Sequence, residues 1–317
     1  MWDHRVHRIN SFRIANLALL PTERKIPFYL GNFRTGNIIR QPDYCDPVGP
    51  PFSKAKKWKI TIEGTDITFR APKHKPIEKL DEPRYPKARY IYENMIFRDT
   101  YREGLHLKND WESNIVYSST WAFHGPFLTG PLADIYGALI ILRQKSQQEN
   151  TSLFHPRVFE HAVSEYLTNR YSIQKEKGQH GYIAPVEWRP IQGLSVPAVR
   201  LKVIANDAVR LYEEFEYFFF ALDDNHLAAF TFHYHRGVFY AVTKADLDKH
   251  VGDKNLIELV DNIIGSFNIT LSPEAKAQQQ KALQGLDDTA LTKTFPPLKW
   301  DRDVEAYNET QRKLAAN

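Results

Sequence analysis

Residues 211–235 constrain the fold more than any other part of the chain. From Leu211 to Leu222, Phe215, Tyr217 and Phe219 alternate with Glu216, Phe218 and Phe220. Asp223-Asp224-Asn225-His226 is a turn by composition. The alternation then resumes from Leu227 to His235, with Phe230, Phe232 and Tyr234 on one face. Aromatic alternation on both sides of a turn predicts a long antiparallel strand pair. Two such strands are stable only when further strands and a covering layer take up their apolar faces.

The same reasoning places the other elements. Trp58, Ile60 and Ile62 alternate with Lys59, Thr61 and Glu63; Ile67 and Phe69 alternate with Asp66, Thr68 and Arg70. The turn Glu63-Gly64-Thr65-Asp66 makes this a hairpin, ended by Ala71-Pro72. Strands are expected at 90–97, 115–123 and 135–142. The run Gly137 to Leu142 is apolar on both faces and suits a central position. Pro156 opens a helix with Phe159, Ala162, Val163, Tyr166 and Leu167 on one side. Val199, Leu201 and Val203 mark another strand. Leu256, Leu259, Val260, Ile263 and Ile264 form the stripe of a second helix, closed at Gly265. Phe267, Ile269 and Leu271 make a short strand. Ser272-Pro273-Glu274 caps a last helix that stops at Gly285.

Strands and helices do not alternate strictly, which argues against a doubly wound parallel sheet. The fold class is α+β: two domains with mainly antiparallel sheets, each packed by a helix. The expected division is a basic N-terminal arm over 1–57, one α+β domain over 58–174, a second over 175–285, and a tail over 286–317. The polar stretch from Lys175 to Gln179 sets the middle boundary. In the tail, Phe295 and Trp300 are docking anchors.

Charge is uneven. Residues 1–60 hold 11 Lys/Arg against 4 Asp/Glu, and the remaining 257 hold 31 against 34, although the whole chain is only +4. The excess is therefore assigned to the arm. Arg5, Arg8, Arg13, Arg24, Lys25, Arg34 and Arg40 are interleaved there with Trp2, Phe12, Phe28, Tyr29 and Phe33. That pattern suits single-strand stacking. The arginines are dispersed, however, so nucleic acid is disfavoured beside an arm paired with acidic residues of the body.

Chemical motifs are sparse. One cysteine, Cys45, permits no intrachain disulfide and reads as a loop thiol. His233 and His235 share a strand face and amount to half a metal site without a third ligand. No HExxH or GxSxG sequence occurs. Ser172 to Lys175 matches SxxK at a polar boundary, not under a cleft. Gly125 to Pro131 lacks the GK[ST] ending of a phosphate loop. Glu213, Glu214 and Glu216, like Asp223 and Asp224, suit strand starts and turns. No catalytic residue, cofactor or metal is expected. The uncharged stretch 113–133 contains Asn114, His124, Gly125 and Pro126 and does not suit a bilayer. The start Met1-Trp2-Asp3-His4-Arg5 is no secretory signal, so the expected location is cytoplasmic, or envelope if an N-terminal anchor has been removed.

Trp188, the strands through Phe218 and Phe232, and the helix-to-strand sequence from Leu259 to Ile269 carry one likeness. Over about 186–271 the chain resembles PsbP-like α+β domains, including bacterial envelope and secretion-associated members. The hairpin at 58–69 is similar to the start of another such unit. The resemblance implies binding of proteins or small ligands without catalysis. Some bacterial members are similar to immunity or accessory proteins of contact-dependent secretion systems. The expected function is accordingly protein binding, with a toxin or secretion component as partner. Trp121, Phe123 and Phe127, with Asp223, Asp224 and His226, are the expected contact residues. The alternatives are a hydrolase assembled from distant residues and nucleic-acid binding through the arm.

Overall fold

The computed structural model describes residues 29–30, 38–39, 44–77, 81–99, 110–126, 129–146, 151–172, 175–176, 179–180, 182–205, 214–237 and 244–300. Most of the 1–57 arm and the end of the tail, with Phe127, lie outside the described residues.

The first hairpin forms as its alternation predicts, with β1 over Lys56–Ile62 and β2 over Thr65–Ala71. The turn is tighter than expected. Glu63 and Gly64 alone make it, both at positive φ (45° and 80°), which matches the twist of a two-residue hairpin. Strand 90–97 does not form as one piece. Instead β3 is Arg89–Tyr90, a 3₁₀ turn covers Tyr92–Asn94, and β4 is Arg98–Asp99. The break turns Tyr92 inward, where its hydroxyl donates to Asp223.

The long strands are β5 (Trp111–His124), β6 (Pro131–Gln144), β7 (Tyr182–Pro190), β8 (Ala198–Ala205), β9 (Glu214–Ala221) and β10 (His226–Arg236). They form a seven-stranded antiparallel sheet in the order β7-β8-β9-β10-β6-β5-β4. β6 lies centrally, as its two-sided apolar run requires. Gly137 is needed there because a Cβ would lie 2.7 Å from the Trp121 ring. A second, four-stranded sheet has the order β11-β2-β1-β3, where β11 is Asn268–Thr270.

The helices are α1 (Pro156–Tyr171), α2 (Lys244–Asp248), α3 (Lys254–Gly265) and α4 (Pro273–Leu283). α1 covers one face of the large sheet: Tyr166 meets Trp111 and Phe219 edge-on, each at 5.6 Å. The small sheet and α3 cover the other face. Phe267 joins these layers, stacked on Phe69 at 4.9 Å and edge-on to Phe218 at 5.0 Å. α4 is capped by Ser272, whose hydroxyl accepts from the Ala275 amide, and Gly285 follows it at φ 77°.

The expected boundary at 174/175 does not separate two sheets. β10 pairs with β6 through eleven residue pairs, from His226–Arg143 to Arg236–Ala133. β11, beyond the second helix stripe, pairs with β2 of the first hairpin, Ile269 opposite Ile67. Both halves contribute strands to both sheets, and one buried cluster runs from Ile60 to Trp300. In the tail, Phe295 packs on Trp188 at 4.9 Å, and the Trp300 indole donates to Thr168. Among the described residues, no helix is long and apolar enough to cross a membrane.

Candidate functional site

The small sheet has one covered face and one open face. Ile60, Ile62, Ile67 and Phe69 turn into the core. Alternation therefore turns Lys57, Lys59 and Thr61 of β1, and Asp66, Thr68 and Arg70 of β2, outward. The ladder sets Lys57 opposite Arg70 and Lys59 opposite Thr68. The parallel pairing of β3 puts Arg89 beside Thr61, and β11 adds Asn268 and Thr270. Lys57, Lys59, Arg70, Arg89, Asn268 and Thr270 are all exposed. This face carries four cations and one carboxylate. Asp66 pairs with Lys59 at 2.8 Å and accepts from Thr61, and these two contacts hold its carboxyl below the usual range.

The basic character continues at the start of β1 and just before it, after β2 and before β3, where Lys75 and Arg84 pair with β5. Lys54, Lys56, Lys73, Lys75, Arg84 and Lys87 are exposed as well. Of the ten described cations from Lys54 to Arg89, only Lys59 is ion-paired with a carboxylate among the described residues. Two aromatic groups accompany them. Tyr85 stacks on Trp58 at 5.3 Å with 16° between the rings, and Lys56 Nζ lies 4.2 Å from the Trp58 ring. Arg70 lies over Phe52 at 5.0 Å. Tyr85 is 53% exposed. Its backbone position is fixed by paired hydrogen bonds between Arg84 and Ser118.

The expected contact residues behave differently from one another. Trp121 and Phe123 are buried, Trp121 with its indole donating to the Pro72 carbonyl, so neither ring is presented to a partner. Alternation sets both rings on one face of β5, where Trp121 lies against Pro72 and Phe123 against Gly49. Asp223, Asp224 and His226 do come together at the β9–β10 turn. Asp223 accepts from the Tyr92 hydroxyl at 2.5 Å, from the Asn225 and His226 amides, each at 2.8 Å, and from His226 Nδ1 at 2.9 Å. Burial alone would raise its pKa; these donors, His226 foremost, pull it below the ordinary carboxylate value. Tyr92 stacks on His226 at 3.6 Å. Burial, then the Asp223 charge, raises the Tyr92 phenol. The group is a clasp that pins residues 92–94 to the hairpin turn. His226 Nε2 is buried and has no hydrogen-bond partner among the described residues. A hydrolase site needs a nucleophile at that nitrogen, and the Asp–His pair as described brings none.

Asp224 and Asn225 border a cleft of about 210 Å³ with Trp111, Gln144, Arg157 and Glu165. Arg157 bonds Glu160 and Glu165 accepts from Gln144, whereas Asp224 Oδ1 is buried with no hydrogen-bond partner among the described residues.

One buried network was not legible beforehand. Glu216 is fully buried and joins Arg200 and the Tyr234 hydroxyl; Arg200 also reaches Asp261 of α3 at 2.5 Å. Desolvation disfavours a charged Arg200, but Glu216 and then Asp261 hold it firmly protonated. The network ties β8, β9 and β10 to α3. His233 and His235 are half-buried on the opposite face; His233 stacks on Phe215 at 4.2 Å and His235 bonds Asp134 at 2.9 Å. Among the described residues, no group of three or more His, Cys, Asp or Glu side chains suits a metal ion. Cys45 packs with Leu132, Leu247 and Val251, and its thiol is raised by burial and by Asp46.

No family model matches the chain, and no curated protein or solved structure is detectably similar to it.

Proposed function

We propose that the chain is a binding protein, without catalysis of its own, whose working surface is the open face of the small sheet and the adjoining β1 edge. The partner is an anionic macromolecule. The observation that carries this reading is the set of ten exposed cations between Lys54 and Arg89, of which only Lys59 meets a carboxylate among the described residues. A solvated structural face normally mixes both signs. One sign concentrated on an ordered sheet attracts the opposite sign over several ångströms and raises the rate of encounter. The expected pairing of the arm's arginines with acidic residues of the body falls on residues outside the described ones.

The test is binding to heparin as a generic polyanion. The full chain is expected to bind in low salt and to release as salt rises, because each contact expels counter-ions. The variant Lys57→Gln/Lys59→Gln/Arg70→Gln should release at clearly lower salt. Equal retention of variant and wild type would defeat the reading.

A second reading keeps the partner a protein and uses a different patch. Ile91 and Ile96, 37% and 71% exposed, flank Tyr92 on the segment held by the Asp223–His226 clasp. Exposed apolar side chains on a rigid segment suit an interface anchor. The resemblance to PsbP-like domains over about 186–271, which takes in the Asp223–His226 turn and not Ile91 or Ile96, implies an immunity or accessory role with a toxin or secretion component as partner. Affinity purification with Ile96→Asp as the control tests it. Loss of a specific protein in the variant supports it, and identical recoveries count against it.

A further inference from the structure

The geometry points to a single-stranded nucleic acid as the anionic partner of the basic face. This inference rests on the polyanion reading above and narrows it. Three features favour a single strand over an acidic protein or a duplex.

The first is the Tyr85 ring. Trp58 covers one of its faces, and Tyr85 is still 53% exposed, so the second face is open to a flat partner. Nucleobases have such a face and carboxylate side chains do not. Base–aromatic stacking is tolerant of sequence and needs unstacked bases, which a duplex does not offer.

The second is preorganisation. Tyr85 lies between Arg84, bonded to Ser118 through both backbone groups, and Pro86, and the Lys87 amide donates to the Tyr90 hydroxyl. The platform does not have to be ordered when a base arrives, so little is lost in entropy on binding.

The third is the layout of charge. Lys57 and Lys59 project from one strand two residues apart, roughly 6.7 Å. This is comparable with the step between phosphates of an extended strand. Arg70 opposes Lys57 across the ladder, and Arg89 stands beside Thr61. β1 carries both parts of the site: Lys56 and Trp58 toward the Tyr85 edge, Lys57 and Lys59 toward the open face. Among the described residues, no strand pairs with β1 from Lys56 to Lys59 on the side away from β2. The β1 edge from Lys56 to Lys59 thus lies between the Tyr85 ring, stacked on Trp58, and the outward cations.

The experiment uses the full chain and four probes: fluorescently labelled dT20, a labelled 20-base-pair duplex, heparin and poly-glutamate. Anisotropy is expected to show dT20 binding at least about fivefold tighter than the duplex. With roughly four phosphates contacted, affinity for dT20 should fall about 50-fold from 50 to 200 mM salt. Tyr85→Ala should weaken dT20 at least about fivefold and leave heparin within twofold. Lys57→Gln/Lys59→Gln/Arg70→Gln should weaken both and flatten the salt dependence. Equal affinity for dT20 and duplex, a preference for poly-glutamate, or a Tyr85→Ala variant that binds dT20 normally would overturn the single-strand inference and leave the polyanion reading standing. Absence of binding to all four probes would overturn both.

Discussion

Two residues show how differently buried charge is handled in this molecule. Glu216 has no exposure, and its stability depends wholly on Arg200 and Tyr234. Removing one partner of a buried pair strands the other. Glu216→Ala should therefore destabilise the protein by about 3 kcal/mol or more in urea unfolding. A cost below about 1 kcal/mol would mean that water reaches Arg200. Asp223 makes a different, pH-dependent contribution. Its folded-state pKa is depressed, so its contribution to stability is complete above the unfolded carboxylate value near 4. That contribution is lost as pH falls through the lower folded value. The wild type should lose stability on acidification below about pH 4, and Asp223→Asn should lose less over the same window while starting about 1–3 kcal/mol weaker at pH 7. Parallel pH profiles would remove Asp223 as the cause. The sequence showed Asp223 and His226 together in a turn. It gave no sign of Tyr92, 131 positions away, because the expected strand at 90–97 hid the turn that brings it in.

At the scale of elements, local pattern was a good guide and pairing was not. The alternation of β1 and β2, the stripe of α1 and the cap of α4 all read directly from the residues, since each is decided within a few positions. Alternation places Trp121 and Phe123 in a strand but does not say which face is covered, because burial depends on the layer above, and both rings are buried. The basic face is half visible in the sequence: Lys59 and Arg70 stand on the polar side of the hairpin, but a charge count over residues 1–60 merges Lys54, Lys56, Lys57 and Lys59 with the arginines of the arm. Lys54, Lys56, Lys57 and Lys59 belong instead to the hairpin and the turn before it. Arg89 joins them only through parallel pairing with β1. Phe267 is the element-level joint between the sheets. Phe267→Ala should cost about 3–5 kcal/mol, read by denaturant unfolding. Gly137→Val should also be costly, by about 1–3 kcal/mol or more, because its side chain would enter the space of the Trp121 ring. Tolerance of either change would mean that the core is looser than its ring contacts imply.

Over the whole molecule, the interleaving of halves has a thermodynamic consequence. β10 with β6 and β11 with β2 cross the expected boundary, so neither half contains a complete sheet. Unfolding followed by tryptophan fluorescence and by far-UV circular dichroism should coincide in one transition. Two separated transitions would restore the division into independent domains. The same interleaving holds the small sheet on the large one through Phe69 and Phe267, leaving its basic face outward as a fixed surface.

The central claim is that this fixed face, and not the dispersed arginines of the first residues, carries the attraction for anions. The direct measurement is heparin affinity at one salt concentration for two full-length variants. One is Lys57→Gln/Lys59→Gln/Arg70→Gln and the other is Arg5→Gln/Arg8→Gln/Arg13→Gln. Each removes three charges, so general electrostatics changes equally. The first should bind about tenfold or more weakly than wild type, and the second should stay within about threefold. The reverse order, or equal losses, would contradict the claim.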